Sequence, residues 1–562
     1  TAPISKETLE TNRHLMKRTF TSILPLALLS ITLNLSAQDT ISKADVTGSS
    51  KLMDIQYTQQ DLEMMMPDLR DNVNDYKKMH GLPLQNQVGM SMAQVLVPDR
   101  VPQQKIKWRY DRSIRMPERK EDLAFYSINQ LASLLRNKSI SSKELTLLFL
   151  DRIRKFGDTL QCVISITESI ALEQAAQADN ELQKGMDRGP LHGIPYGLKD
   201  LFAVKGTKTT WGAQPYRNQT IDDDAFVYTQ MKNAGAVLVA KFTLGALAMG
   251  DYWYGGRTKN PWNLERGSSG SSAGSASATV AGLVPFAIGT ETHGSIISPS
   301  HNCGATGLRP TFGSISRSGA MTLSWSLDKA GPICRTAADA ATVFAFLHGT
   351  DGQDPSAVQA SFNLDLKADV KKLRIGYAAN HFEKLDTAGQ EWGVIKALQA
   401  AGIDPKPMHL PDTEIYRFDI IGMVVGAESA AAFDAFTRAD LDDEMTRQTR
   451  NDWPNYFRVS RTIPAVEYIN ASRHRSLLMQ AFNKALQDFD VIITPTYGGR
   501  QLAITNLTGH PALCMPIGLT KQGVPNSITF ISNLFQEEAL VTAGRFFQEQ
   551  TPHDDIHPAL FR

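Results

Sequence analysis

The strongest constraint on folding is a run of small residues. Residues 272–281 read SAGSASATVA, with no side chain larger than valine, and LVPFAIG follows at 283–289 without a polar spacer. Such a run has no amphipathic stripe, so as a helix it must be enclosed on all sides. That requires a large protein around it, with Gly282 placed to end the helix. Gly/Ser composition also suits a flexible linker, but a linker would not run straight into an apolar segment. Ser271 then stands at the helix N-terminus, where free N–H groups and the macrodipole favour negative charge.

The same stretch contains a competing pattern. Gly270-Ser271-Ser272-Ala273-Gly274 fits G-x-S-x-G, the turn that presents a serine nucleophile, and would make Ser272 that residue. The pattern needs a strand immediately before it, and NPWNLERGSS does not read as one. A second serine-bearing segment, GTETHGSIISPS at 289–300, contains Ser295, and Lys199 lies upstream in HGIPYGLKD. A hydroxyl needs a base to become nucleophilic. Lysine can serve when burial keeps it neutral, and the apolar Leu198, Leu201 and Phe202 flank Lys199. Two serines and one lysine suffice for acyl transfer without histidine, aspartate or metal.

The chain has 562 residues, 42% hydrophobic and 21% charged, which is globular composition with room for a large core. Basic and acidic residues balance at 58 each, so no nucleic-acid partner is expected. Cys162, Cys303, Cys334 and Cys514 are widely spaced, with no zinc-type cluster. They read as small buried hydrophobes, with a disulfide left open by export. No cofactor and no metal is expected.

From Met16 the chain reads MKRTFTSILPLALLSITLNLSAQD: two basic residues, a short apolar run, then small residues. This describes a signal peptide over residues 16–37 and an exported, periplasmic or secreted protein. The run is too short for a spanning helix, so no stable membrane anchor is expected. Residues 1–15 read as upstream or non-native sequence. Residues 38–118 read as a helical extension and connector in which Met64, Met65 and Met66 pack, and residues 119–562 as one large domain. Ser127–Gln130 and Ser141–Glu144 fit capping boxes. Strands are expected at Val163–Ile166, Ala236–Ala240, Leu283–Ile288, Leu373–Tyr377 and Val491–Thr494, with helical patterns between most of them. The alternation predicts an α/β fold. Residues 350–372 read as an exposed excursion.

In order along the chain, HGIPYGLKD, GSSAGSASA, GTETHGSIISPS, CGATGLRPTFGSISRSG, Ser326-Leu-Asp328-Lys-Ala-Gly-Pro332 and NLTGHPALCMPIGL are similar to the motifs of the amidase signature family of serine hydrolases. The two serines stand 24 residues apart, the spacing usual in that family. The resemblance spans roughly residues 122–548. It implies a single large domain with a mixed central sheet covered by helices on both faces. It also implies Ser295 as nucleophile, Ser271 as bridging serine after a cis Gly270–Ser271 bond, and Lys199 as ultimate base. The backbone N–H groups of Thr292, His293, Gly294 and Ser295 would form the oxyanion hole.

Two positions depart from the pattern. His293 stands where relatives usually carry Gly or Asp; a Ser295–His293 dyad is an alternative, but residues two apart in a tight turn rarely meet side chain to side chain. Ile297 stands where the A subunits of amidotransferases usually carry Arg. The expected activity is therefore hydrolysis of a small-molecule amide to an acid plus an amine or ammonia. The alternatives are a glutaminase or A-type amidotransferase subunit for tRNA-linked substrates, an esterase, and a non-catalytic binding homologue. Oligomeric state stays open, with a homodimer among the options.

Overall fold

Short apolar runs separated by helices become the strands of one central sheet. The structure, a computed structural model, describes residues 41–53, 55–82, 102–411 and 419–562. The segment 1–15 and the expected signal peptide 16–37 lie outside them. Eleven strands form the sheet among the described residues. They are β1 Val163–Ile166, β2 Pro195–Lys199, β3 Val237–Phe242, β4 Ala287–Glu291, β5 Thr306–Arg309, β6 Lys329–Cys334, β7 Ile375–Ala378, β8 Lys406–Met408, β9 Val491–Pro495, β10 Ala512–Leu519 and β11 Pro525–Ser532. Their order is β1-β3-β2-β4-β6-β5-β10-β11-β9-β7-β8.

The sheet is mixed. β2 runs parallel to β3 and β4, and β7 runs parallel to β8 and β9. The remaining neighbours are antiparallel. Helices flank the sheet, as the α/β/α expectation required. Every residue of β2, β3 and β6 is buried. A strand covered on both faces can read as a continuous apolar run rather than an alternating one, as VLVA in β3 does; β2 and β6, with Lys, Gly and Pro among their residues, are not among the strands expected from the sequence.

Both predicted capping boxes are present. Ser127 Oγ accepts the Gln130 N–H at 3.2 Å while Gln130 Oε1 accepts the Ser127 N–H at 2.8 Å. Ser141 and Glu144 repeat the exchange at 3.1 and 2.9 Å. Each satisfies two otherwise orphaned N–H groups and begins a helix, Ile128–Arg136 and Ser142–Leu160.

Three expectations need correction. The strand predicted from Leu283 starts at Ala287. Leu283, Val284 and Phe286 are instead buried in the turn ahead of it, so their apolarity reports burial and not extension. Asn263–Gly267, which does not read as a strand, is one, paired with Lys259–Asn260 in a two-stranded sheet outside the central one. Residues 350–372 are not simply an exposed excursion, because Phe362 is buried with its ring edge-on to Phe344 at 4.8 Å.

The N-terminal extension contains the helices Lys43–Leu52 and Gln59–His80. Met65, Met66 and Leu69 pack with Val459 in one apolar cluster. Arg458 donates to Asp61 at 2.8 Å, and His80 Nε2 meets Glu467 at 3.0 Å. The extension is thereby fastened to residues about 400 positions away, a contact that no local sequence pattern reports. All four cysteines are buried and unbridged. No helix among the described residues is long and apolar enough to cross a membrane.

Candidate active site

Three chain segments converge at the C-terminal ends of β2 and β4. Lys199 is the last residue of β2, Ser271 precedes the small-residue helix Ala273–Val280, and Ser295 lies in the turn after β4. All eight residues of that helix are buried. A Cβ on Gly274 would lie 2.5 Å from both Cys162 O and Thr243 Oγ1, so the helix reaches the sheet only because this residue has no side chain. Gly282 follows the helix with φ +67° and ends it. The peptide bond Gly270–Ser271 is cis. The Ser272 N–H donates to Ser295 O at 3.1 Å, which ties the two serine segments together.

Lys199 is fully buried, and among the described residues no carboxylate lies within ion-pair distance of it. Its Nζ lies 2.9 Å from Ser271 Oγ, 2.8 Å from Thr290 Oγ1 and 3.2 Å from Ser272 Oγ. Lys241, equally buried, is different: it pairs with Asp200 at 2.9 Å, so the carboxylate next to Lys199 in sequence is already neutralised. Burial lowers the pKa of Lys199 to about 7, against the opposing pull of Asp328 and Glu291. A lysine poised there is half neutral at physiological pH and suited to general-base work.

The Ser272 hydroxyl is already engaged by the backbone of Thr290. Ser272 Oγ donates to Thr290 O at 3.0 Å and accepts the Thr290 N–H at 3.1 Å. Its proton is committed to a backbone carbonyl, so toward Lys199 it offers only a lone pair. A neutral Lys199 can then give its two N–H groups to Ser272 and Thr290 and keep its lone pair for the Ser271 hydroxyl. This geometry leaves Ser272 less free than Ser271 to give its proton to Lys199. The strand at Asn263–Gly267 does not revive that pattern, since it lies outside the central sheet.

The turn after β4 is clamped at both ends. Glu291 Oε2 accepts the N–H groups of Ile296 at 2.8 Å and Ile297 at 2.9 Å, and Oε1 accepts from Arg309 at 2.7 Å and Asn506 at 2.8 Å. Burial alone would raise the Glu291 pKa; Arg309 and these donors outweigh it and hold the group below its usual value. At the other end, the Thr292 hydroxyl donates to Asp328 at 2.6 Å. Gly294 has φ +127°, a conformation costly for residues with a Cβ, and an added Cβ would also strike Leu502 at 2.8 Å. Among the described residues no protein acceptor takes the N–H groups of Thr292, His293, Gly294 or Ser295. Four free donors around a half-buried serine can receive an oxyanion.

The His293 ring lies in a recess, open to solvent yet with enough protein around it that burial lowers its pKa, with Asp419 and Glu291 opposing. No hydrogen bond joins it to Ser295 among the described residues. Ile297 is buried in an apolar niche with Ala512, Cys514 and Leu502. No group of three or more His, Cys, Asp or Glu among the described residues is disposed to hold a metal ion. A cavity of about 360 Å³ is lined by Thr290, Ala248, Met321, Trp325, Asp328 and Lys329 among others. Sequence reasoning missed Thr290 and Glu291 as partners of the site. Both stand in the GTETHGS segment, but only the strand register turns one toward Lys199 and the other toward Arg309.

A family model described as Amidase matches residues 144–505. The A subunit of glutamyl-tRNA(Gln) amidotransferase from Coxiella burnetii is 34% identical over 480 residues, covering 77% of this chain and 99% of its own length. The protein of the same name from Marinomonas sp. is 32% identical over 471 residues, covering 76% and 96%. The solved structure of native peptide amidase from Stenotrophomonas maltophilia aligns with TM-score 0.68 and 27% identity over 77% of this chain and 98% of that one. The chain is longer than these relatives, which it spans almost entirely. With its central mixed sheet and ordered motifs, it belongs to the amidase family and is an amidase-family enzyme acting on carbon–nitrogen bonds.

Proposed function

We propose that this protein hydrolyses a carboxylic acid amide to the acid and an amine or ammonia, through an acyl-enzyme on Ser295. The observation that carries the reading is Lys199: buried, without a carboxylate at ion-pair distance among the described residues, and held against Ser271. Neutral Lys199 takes the Ser271 proton as Ser271 takes that of Ser295, and the Ser295 oxygen attacks the substrate carbonyl. The oxyanion is received by the free N–H groups of residues 292–295. The proton returns through Ser271 to the leaving nitrogen, because an unprotonated amine leaves poorly. Water then attacks the acyl-enzyme by the same relay, and the acid departs with Ser295 restored. Esters, which need no such protonation, would also be accepted.

This reading predicts the pH profile. The active form has Lys199 neutral, so kcat/KM rises with pH through about 7, the value to which burial lowers this lysine. The check is kcat/KM from about pH 5 to about pH 9. A flat profile would remove lysine from the role of base.

The curated relatives support a second reading, a glutaminase-type amidotransferase component that releases ammonia for tRNA-linked substrates. Two observations favour free hydrolysis. The Ile297 side chain sits in an apolar niche and offers no charge to a substrate. Residues 16–37 have the composition of an export signal, and export would separate the enzyme from aminoacyl-tRNA. The purified chain should therefore hydrolyse members of a panel of peptide C-terminal, aryl, aliphatic and fatty acid amides without added partner proteins. Turnover of glutamine alone, rising only with such partners present, would favour the second reading. Loss of all turnover and of fluorophosphonate labelling would favour a binding homologue.

A further inference from the structure

We propose that Asp328 is a positioning residue of this site: its carboxylate locks the oxyanion turn through Thr292 and sets a negative charge in the field of Lys199. The inference rests on the roles given above to Ser295, Ser271 and Lys199. It starts from strand register. Lys329 and Ala330 at the start of β6 pair with Glu291 and Thr290 at the end of β4. The next residue outward on each side is therefore Asp328 on one strand and Thr292, the first residue of the turn, on the other.

Both carboxylate oxygens are in use. Oδ1 accepts the Thr292 hydroxyl at 2.6 Å, and Oδ2 accepts the N–H groups of Leu323 at 2.8 Å and Ser324 at 2.9 Å. A backbone N–H only donates, so Oδ2 has to stay unprotonated, which suits the ionised form. Burial acts the other way and raises the Asp328 pKa, opposed by Arg317 and by these donors. Among the described residues no cation lies within ion-pair distance of Asp328, and the nearby Arg317 guanidinium is engaged by Asp354 at 2.8 Å.

The loop that carries Asp328 is held from behind. Glu428 accepts from the Ser324 hydroxyl at 2.6 Å, from the Ser326 N–H at 2.9 Å and from the Ser326 hydroxyl at 2.6 Å. Arg475 donates to Ser326 O at 3.0 Å. Asp328 thus transmits the rigidity of a buried hydrogen-bonded loop to the first residue of the oxyanion turn. It also shares the wall of the 360 Å³ cavity with Thr290, which holds Lys199 Nζ.

The charges around Lys199 leave Asp328 distinct. Glu291 and Asp328 are the two carboxylates that favour its protonated form. Glu291 is paired with Arg309, and Asp200 with Lys241. Lys329, buried close by, has its own pKa driven well down by burial and by Arg309. Asp328, with no cation at ion-pair distance among the described residues, therefore supplies a negative charge that favours the protonated form of a fully buried lysine.

Two variants separate the two effects. Thr292→Val cuts the link to the turn and leaves the Asp328 charge. It should lower kcat by about tenfold or more with KM nearly unchanged, because oxyanion contacts are realised in the transition state. Its acid limb should stay where the wild type has it. Asp328→Asn removes the charge. It should lower kcat and also move the acid limb of the kcat/KM profile to lower pH by about one pH unit, since an opposite charge near a lysine raises its pKa by about that much or more. A role confined to folding would lower activity without moving the limb. Wild-type kcat in Thr292→Val overturns the positioning, and an unmoved limb in Asp328→Asn overturns the charge. If Asp328→Asn does not fold, Thr292→Val decides the positioning by itself. Fluorophosphonate labelling of the wild type is the control: absence of labelling removes the Ser295 reading, whereas labelling with unaltered variants removes only the role of Asp328.

Discussion

Ser295→Ala should fold normally, fail to label with a fluorophosphonate and lose amide turnover by about a millionfold, the loss typical of removing the nucleophile from an interdependent set of catalytic groups. The side chain is half-buried in a turn held by Glu291 and Asp328, and neither clamp involves the Ser295 hydroxyl. The backbone contact from Ser272 N–H to Ser295 O also survives the substitution. Structure and stability should therefore remain close to wild type, which thermal unfolding would verify. The measurement is turnover and labelling of the pure variant beside wild type. Labelling unchanged by the substitution would mean that the reactive hydroxyl is elsewhere. Ser272 is a poor alternative, because its proton is already directed at Thr290 O.

Lys199→Ala should lower amide turnover by about ten-thousandfold, for the relay then has no base and no acid. Esters should suffer less, because an alkoxide leaves without prior protonation as readily as an amine leaves with it. The ratio of ester to amide turnover should accordingly rise in the variant. The acid limb near pH 7 should also vanish from whatever activity persists, since burial places Lys199 there. The variant leaves a void and removes a donor from Thr290 Oγ1, so some loss of stability is expected. Lys199→Met, which keeps most of the volume, separates that effect from the chemistry. Amide turnover at the wild-type rate in either variant would end the lysine relay as a mechanism.

The relation between sequence and site is uneven for physical reasons. Ser127 with Gln130 and Ser141 with Glu144 are local devices, complete within four residues, and were legible as helix starts. The buried strand β3 is legible as an apolar run, because burial on both faces selects apolar residues, whereas β2 and β6, equally buried, contain Lys, Gly and Pro and do not read as strands. Leu283–Phe286 misled for the same reason: a turn that is buried has the composition of a strand. Asn263–Gly267 was missed because a two-stranded, partly exposed ladder needs no apolar run. Thr290, Glu291 and Asp328 stand within recognisable segments, but their tasks come from cross-strand pairing. Nothing in the order of residues tells that Arg458 reaches Asp61, or that Asn506 reaches Glu291.

By itself, the sequence determined the inventory: two serines in small-residue settings, a lysine among apolar neighbours, and a helix that only a large core could accept. Those are properties of composition and short-range order, and they point to acyl transfer. The tertiary structure brought both serines to the lysine and decided which hydroxyl is already engaged by backbone. Ser271 and Ser272 are chemically alike and adjacent, and what separates them is that a strand 18 residues further on presents Thr290 O and N–H to one and not the other. It also decided that, among the described residues, Lys199 has no carboxylate at ion-pair distance while Lys241 has one. Proton affinity depends on what lies within a few ångströms, and packing brings those neighbours from distant parts of the chain.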